Sequence, residues 1–296
     1  MLILGSHMSI DRGFAEAAVK TGKTYQANAM QLFTKSPRSR VVKPLNPEDA
    51  KAFRDKCREL KIVFVVAHSS YLINIAKPLS QAPWMLTDLK TDFERLAALG
   101  GDGVVVHIGK RLEQELDQSI DHLVSNTQKV LEETATYLPE NQAHENAPYF
   151  IFENTAGQGT ELGSTLEEIA LIWTKLKQLE PQHFKRIKFC LDTAHLWGAG
   201  YDLSSRDSVN RFFNAFDSAV GLKHLACLHF NDSKKERGSK VDRHDNLLQG
   251  QVGEEGLKAI VKFAEINNIP LILETPEKDG HTHLGDINIV RERLLN

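Results

Sequence analysis

Histidine and carboxylate side chains recur along this chain at places where a short apolar run ends. Nine of them end such a run or follow one closely: His68, His107, Glu153, Asp192, His195, His229, Asp242, His244 and Glu274. Imidazole nitrogens and carboxylate oxygens are ligands that zinc takes in proteins, and a carboxylate has two oxygens with which to bridge neighbouring ions. The combination predicts a metal centre with more than one ion.

Four of the nine residues form two close pairs. Asp192 and His195 are three residues apart where a predicted strand gives way to a turn, so their side chains can diverge toward different ions. Asp242 and His244 form an Asp-x-His pair, whose alternation lets both side chains face the same way. Asp192 could equally cap the next helix, and a single strand-end histidine is more often a satisfied polar residue than a ligand. The metal hypothesis therefore depends on the whole set.

The elements that must position these side chains are strands, because each run is short, apolar and rich in β-branched residues. Eight strands are predicted, over residues 2–7, 28–33, 62–68, 103–108, 149–153, 187–192, 225–230 and 269–274. Segments of helical periodicity separate them, around 85–99, 114–137, 165–179, 208–219 and 254–267. Helix starts are signalled at Asn46-Pro47 and at Ser164-Thr165.

This alternation is typical of parallel strands joined by crossover helices. Eight such units predict an α/β fold of the TIM (β/α)8 barrel type, with residues 1–296 as a single domain. The ends of parallel barrel strands converge on one rim, where the nine side chains would meet. A doubly wound sheet is the alternative, but it would gather them near one switch point rather than from almost every strand.

The composition is that of an ordinary folded protein, with 41% hydrophobic and 25% charged residues. No apolar run approaches the roughly 20 residues of a membrane span, and the amino terminus lacks the basic and apolar segments of a secretion signal. Three cysteines without a CxxC spacing fit a reducing compartment, and Cys190 and Cys227 are expected to be buried thiols. We therefore expect a cytoplasmic protein.

Longer strings around these residues closely resemble the endonuclease IV family, the zinc-dependent apurinic/apyrimidinic endonucleases of base excision repair. The resemblance runs from residue 5 to residue 276, and all nine ligand types stand where the family pattern has them. The most specific strings are CLDTAHLWGAGYD, HFNDSK and DRHDN in this order. The others are GSHMS, LFTKSPR, AHSSYLIN, HIG, FENTAGQG and LETP.

The resemblance implies a barrel with three zinc ions at the carboxyl ends of its strands. Glu153 would be the catalytic ligand that bridges two ions. The remaining ligands would be His68 and His107 for the first ion, Asp192, His229 and Glu274 for the second, and His195, Asp242 and His244 for the third. The implied partner is double-stranded DNA containing abasic sites. Hydrolysis on the 5′ side of the lesion would leave a 3′-hydroxyl and a 5′-deoxyribose phosphate, and we expect a monomer to do this.

The resemblance also implies DNA-binding roles for Arg38, Tyr71 and Leu72, which would enter the base stack and hold open the gap left by a flipped nucleotide. For Tyr71 the alternative is a lid packed over the barrel mouth, and for Arg38 it is a solvated loop. His7, which completes the first strand, is expected to lie just behind the metals and support their ligands.

Two other functions stay open at this point. A metal-dependent sugar isomerase or epimerase on the same barrel would also place histidines and carboxylates on the rim. Such sites generally use one or two ions, so the third set of ligands would have no role. A catalytically inactive DNA-binding module would have eroded ligands, and none of the nine is eroded.

Overall fold

The computed structural model describes residues 1–37, 42–136 and 147–295. Its strands are β1 Leu4–Met8, β2 Ala29–Leu32, β3 Phe64–His68, β4 Gly103–His107, β5 Tyr149–Glu153, β6 Ile187–Asp192, β7 Leu225–His229, β8 Asp232–Ser233, β9 His244–Asp245 and β10 Leu271–Leu273. All but β8 and β9 form one closed parallel barrel, in which β10 pairs with both β7 and β1. The predicted TIM barrel is confirmed, and each barrel strand overlaps a predicted run.

The helices lie around this barrel. They are α1 Phe14–Val19, α2 Pro47–Glu59, α3 Trp84–Leu99, α4 Leu116–Glu133, α5 Leu166–Leu176, α6 Pro181–Phe184, α7 Thr193–Ala199, α8 Arg206–Ala219, α9 Glu254–Asn267 and α10 His283–Ile289. The five helices expected from periodicity are all present, although α4 ends at Glu133 rather than at residue 137. None of the helices in the described ranges is both long and apolar enough to cross a membrane.

Two helix starts follow the signals in the sequence. The Asn46 side chain accepts hydrogen bonds from the backbone N–H groups of Glu48 and Asp49 and so caps α2, as Thr165 caps α5. The Asp49 carboxylate in turn accepts bonds from the backbone N–H groups of Phe14 and Ala15, at 2.9 and 3.0 Å. Since a carboxylate of α2 thereby caps α1, this pair of helices is tied together on the barrel wall.

A buried layer inside the barrel supports the rim. Its members are Val66, Val105, Ile151, Cys190 and Cys227, each on a different strand, and all of them are fully buried. Each stands two residues before a histidine or carboxylate that ends its strand, namely His68, His107, Glu153, Asp192 and His229. Because side chains alternate along a strand, these five rim residues point into the same interior, one layer higher. The two cysteines are buried and unpaired, as predicted.

A long excursion, residues 230–253, leaves the barrel between β7 and α9 and carries the β8–β9 hairpin. The buried carboxylate of Asp232 organises it by accepting hydrogen bonds from backbone N–H groups. These come from Ser233 at 2.8 Å and from Leu248, Gly250 and Val252 at 3.1 Å each. Asp286 on α10 supports the same segment by accepting from the backbone of Leu247 at 3.0 Å. Residues 242 and 244 are therefore held over the barrel by polar contacts.

Candidate metal centre

The structure brings all nine predicted residues to the carboxyl end of the barrel. Five of them are the last residues of β3 to β7, and Glu274 directly follows β10. His195 lies in the first turn of α7, and Asp242 and His244 lie on the excursion. Five of the nine have 3% or less of their surface exposed: His68, Glu153, Asp192, His195 and His229. Ionisable groups this deep require partners.

Glu153 lies at the centre of the cluster. Its Oε2 is 3.1 Å from Nε2 of His68 and 3.1 Å from Nε2 of His107. Its Oε1 faces the other side, 3.0 Å from Nδ1 of His229 and 3.5 Å from Nδ1 of His195. The two oxygens of this carboxylate thus contact two different groups of histidines.

Asp192 joins a second and a third group of side chains. Its Oδ2 lies 3.9 Å from Nδ1 of His229 and 3.4 Å from Nε2 of His244. Its Oδ1 accepts a hydrogen bond from the backbone N–H of His195 at 2.9 Å and caps α7. The sequence allowed two roles for Asp192, a helix cap or a metal ligand. In the structure one oxygen forms the cap and the other faces the cluster.

The donor atoms of these residues form three sets, each within 4.8 Å of one another. The sets are His68, His107 and Glu153; then Glu153, Asp192, His229 and Glu274; then Asp192, His195 and His244. Asp242 is outside the tightest third set but contacts both of its histidines, with its oxygens 3.2 Å from Nε2 of His195 and 3.3 Å from Nε2 of His244. This division parallels the one that the resemblance implies, with Asp192 closer to the third set than expected.

Four of the five histidines have one ring nitrogen fixed by an oxygen that can only accept a hydrogen bond. In three of them Nδ1 donates to a backbone carbonyl group: His68 to Ser69 at 2.7 Å, His195 to Asn154 at 2.9 Å and His244 to Glu274 at 3.3 Å. In the fourth, Nε2 of His229 donates to Oε1 of Gln31 at 2.8 Å. The proton lies on that nitrogen, so the other nitrogen presents a lone pair to carboxylate oxygens at 3.0–3.3 Å.

A lone pair and a carboxylate oxygen repel at such a distance unless a cation lies between them. A proton or a metal ion can supply that charge. The Nε2 atom of His244 is buried and has no hydrogen-bond partner among the described residues, although it faces two carboxylates. Neutral imidazoles together with ionised carboxylates are the ligands that zinc prefers, so the residues present fit zinc.

Mutual attraction within the cluster shifts its pKa values strongly. Burial alone would lower the pKa of His229, but the charges of Glu274 and Glu153 raise it well above its usual value. Burial alone would raise the pKa of Glu153, and the opposing effects of His229 and His107 hold it well below the usual range. Burial alone would raise the pKa of Asp242, but its hydrogen bond to His195 and the charges of His195 and His244 together lower it to about 2. Glu153 and Asp242 are thus ionised at neutral pH, as metal binding requires, whereas the extra proton that the raised pKa gives to His229 must leave before that ring binds a metal.

The predicted DNA-binding residues lie in part above this cluster. Tyr71 and Leu72, in the loop after β3, are 57% and 53% exposed. The Tyr71 ring centroid is 5.6 Å from that of His68 and 6.3 Å from that of His107, so the tyrosine borders the first donor set. Partial burial of the side chain and the charges of Glu274 and Glu153 raise the pKa of Tyr71 to about 12. Arg38 lies outside the described residues.

Basic residues line much of the cleft above the cluster, which has a volume of about 1530 Å³ and also includes Asp11, Asp245 and Glu277 in its lining. The lysines and arginines that line it include Lys43, Arg95, Lys234, Lys235, Arg243 and Lys278. Lys35 also borders it, but its ammonium is buried and lies 2.5 Å from Asp92 and 3.2 Å from Asp88 of α3. Lys35 therefore anchors the loop after β2 to α3 and is not a solvated side chain.

Three polar residues that contact the cluster were not predicted from the sequence. Gln31, on β2, is fully buried and hydrogen-bonded to His229. Asn231 donates from Nδ2 to Asp192 at 2.7 Å, and Asn154 accepts from the backbone N–H of Asp192 at 2.7 Å. The two asparagines each follow a strand that ends in a cluster residue, and Gln31 is the single polar residue in the run AMQLF. His7 was predicted to lie close by, and its Nδ1 is 3.7 Å from Oε1 of Glu274.

The fold and this rim define a TIM barrel with a candidate metal centre, and a model of the family described as xylose isomerase-like TIM barrel matches residues 16–292. A probable endonuclease 4 of Nitrosopumilus maritimus is 35% identical over 292 residues, covering 98% of this chain and 99% of the relative. One of Natronomonas pharaonis is 34% identical, covering 99% and 98%. The chain belongs to the endonuclease IV family.

Solved structures agree with this assignment. A crystal structure of endonuclease IV from Thermus thermophilus matches with a TM-score of 0.80 at 31% identity, covering 98% of each chain. A D-tagatose 3-epimerase-like protein matches with a TM-score of 0.70 at 15% identity, covering 99% of this chain and 97% of the other. At that level of identity the second match shows a shared fold alone.

Proposed function

We propose that this protein is a zinc-dependent apurinic/apyrimidinic endonuclease of DNA base excision repair. It hydrolyses the phosphodiester on the 5′ side of an abasic site in double-stranded DNA and leaves a 3′-hydroxyl and a 5′-deoxyribose phosphate. One observation carries the proposal: in a chain of the endonuclease IV family, three adjoining donor sets share Glu153 and Asp192 at the floor of a cleft lined by basic side chains.

In this proposal each donor set holds one zinc ion, with His195, Asp242 and His244 around the third. Zinc supplies a water of lowered pKa at neutral pH and positive charge where the phosphate oxygens become more negative. Glu153 keeps the first two sets together, because its Oε2 faces His68 and His107 while its Oε1 faces His229. The reaction needs no lysine nucleophile and no β-elimination.

The walls of the cleft supply the contacts to DNA. Phosphates are attracted to cationic side chains such as Lys234 and Arg243, which line the cleft beside the third donor set. Tyr71 borders the first set, and the exposed Leu72 follows it in the same loop. In this proposal both fill the gap in the base stack, and we assign Arg38 to the same task. An abasic nucleotide has lost its pairing and stacking, so it is flipped at lower cost than an intact one.

The third donor set separates this proposal from a sugar isomerase or epimerase. Such an enzyme needs one or two ions and groups for proton transfer, which leaves His195, Asp242 and His244 without a role. The size of the cleft also favours a large substrate, because small-molecule pockets have volumes of about 300–1000 Å³. Since one chain forms a complete cleft, we propose that a monomer is active and that residues 1–296 act as one domain.

The experiment that tests the proposal is incision of a duplex oligonucleotide with a single tetrahydrofuran abasic analogue. This analogue cannot undergo β-elimination, so a single cut on its 5′ side that is lost with a zinc chelator and restored by zinc is the expected result. An otherwise identical duplex without the analogue serves as the substrate control. Absence of cutting by zinc-loaded protein would contradict the proposal, and conversion of a ketose by the same preparation would favour the isomerase.

A further inference from the structure

Gln31 contacts three parts of the site at once. It lies on β2, fully buried, and its Oε1 accepts a hydrogen bond from Nε2 of His229 at 2.8 Å. Its Nε2 donates to Oε1 of Glu274 at 2.6 Å and to Nδ1 of His7 at 3.0 Å. One neutral side chain thus links residues from β1, β7 and the end of β10.

The neighbours of this amide determine which way its oxygen and its nitrogen face. If the oxygen and nitrogen of Gln31 exchanged places, an amide oxygen would lie 2.6 Å from the ionised carboxylate of Glu274, and two acceptors repel at that distance. The amide nitrogen must therefore face Glu274, and the amide oxygen must face His229. An amide oxygen only accepts, so His229 carries its proton on Nε2.

This bond determines which atom of His229 is free to bind a metal. With Nε2 held by Gln31, Nδ1 is the nitrogen left to bind a metal, and it lies 3.0 Å from Oε1 of Glu153 and 3.1 Å from Oε2 of Glu274. The same amide engages Oε1 of Glu274 and leaves Oε2 directed toward Nδ1 of His229. The donor atoms of His229 and Glu274 therefore face each other because of Gln31.

His229 differs in this respect from the other oriented histidines. His68, His195 and His244 donate to backbone carbonyl groups, which no substitution at the accepting residue removes. Among the described residues of the cluster, His229 is the one whose ring is oriented by a side chain. A single substitution can therefore abolish its orientation without changing any candidate ligand.

We infer that Gln31 is a positioning residue for the second donor set. It fixes His229 as an Nδ1 ligand and turns Oε2 of Glu274 toward the same ion, which lowers the rate at which that ion is lost. The inference rests on the proposed zinc centre, but it concerns metal retention and not DNA cleavage. Partners of this kind typically change metal affinity about 10- to 100-fold.

Two variants separate the two hydrogen-bonding roles of Gln31. Gln31→Met keeps the volume and removes both roles. Gln31→Glu keeps an acceptor for His229 but places a second carboxylate against Glu274. Both are compared with Gln118→Met, which changes an exposed glutamine of α4. After zinc loading, metal content is measured by plasma mass spectrometry during competition with a chelator.

The expected result is that both Gln31 variants lose one of three zinc ions about 10- to 100-fold faster than the wild type, while Gln118→Met does not. Equal rates of loss in all four proteins would overturn the inference even if the wild type cuts abasic DNA. Conversely, fast loss in the Gln31 variants together with no cutting by the wild type would refute the proposed function and leave this inference standing.

A second measurement does not depend on the folding of any variant. In zinc-loaded wild-type protein, nitrogen-15 NMR of the imidazole rings reports which nitrogen binds metal. We expect His229 to bind through Nδ1 and to retain a slowly exchanging proton on Nε2. Coordination of His229 through Nε2 would overturn the inference.

Discussion

The rim of the barrel and the excursion above it position their candidate ligands by different means. His68, His107 and Glu153 end barrel strands, so their directions follow from strand register and from the packed layer two residues below. Asp242 and His244 lie on the excursion, which depends on hydrogen bonds to two buried carboxylates, Asp232 and Asp286. The first arrangement is a property of the whole fold, whereas the second can be removed by a local change.

The largest effect is expected at the centre of the rim. Glu153→Gln removes the charge that faces four histidines and keeps the shape of the side chain, so we expect a loss of kcat of about 1000-fold. Incision of the tetrahydrofuran duplex measures it, and circular dichroism checks the fold. Glu167→Gln, an exposed change on α5, is the matched control. Near-normal activity of Glu153→Gln would show that this carboxylate has no central role.

A change in the excursion should instead affect one donor set. Asp232→Asn replaces an oxygen that accepts backbone N–H groups with an amide that donates, and we expect about 2 kcal/mol of lost stability. Zinc content should fall from three ions toward two, because Asp242 and His244 lose their support. Chemical denaturation and plasma mass spectrometry measure the two effects, with the exposed Asp207→Asn as control. Three tightly held ions in Asp232→Asn would disprove the distinction between the two regions.

A smaller effect is expected at the edge of the cleft. Leu72→Ala removes exposed apolar surface beside Tyr71 and changes no candidate ligand, so KM for abasic duplex should rise about 10-fold while zinc content stays the same. Steady-state kinetics measures the change. Ile266→Ala, which removes an even more exposed apolar side chain from α9, should leave KM unchanged. A fall in zinc content with Leu72→Ala would mean that the loop after β3 supports the metals and does not bind DNA.

The smallest effect concerns a histidine outside both regions. His224 packs against Trp173 with ring centroids 4.4 Å apart, and burial together with nearby lysines lowers its pKa from 6.5 to about 4. A lowered pKa gives stability that is present above pH 6.5 and lost as the pH falls toward 4. His224→Phe should weaken that loss, as measured by urea unfolding of the protein across this range. If the stability of His224→Phe depends on pH in the same way as that of the wild type, groups other than His224 cause the loss at low pH.

The strands and their terminal residues could be predicted because a buried barrel strand is apolar until it reaches the rim. His107 and His229 are visible for this reason without any knowledge of their neighbours. Gln31 was missed although it interrupts an apolar run, since its partners His229 and Glu274 are more than 190 residues away and only the closed barrel brings them together.

Short helices and polar supports were harder to predict. Helices α1, α7 and α10 have six or seven residues each, too few to show a clear period. Asp232 stands in an obvious motif, but its role as an acceptor for four backbone groups depends on the path of the whole excursion. A candidate ligand at the end of a strand can be recognised from the residues next to it in sequence. The side chains that orient it by hydrogen bonding are distant in sequence and cannot be recognised in this way.

We propose that the nine residues form one centre with three zinc ions. Crystallography of the zinc-loaded protein, with anomalous data collected on both sides of the zinc absorption edge, tests it most directly. We expect three anomalous peaks: one beside His68 and His107, one beside His229 and Glu274, and one beside His195 and His244. One or two peaks at full zinc loading would contradict it.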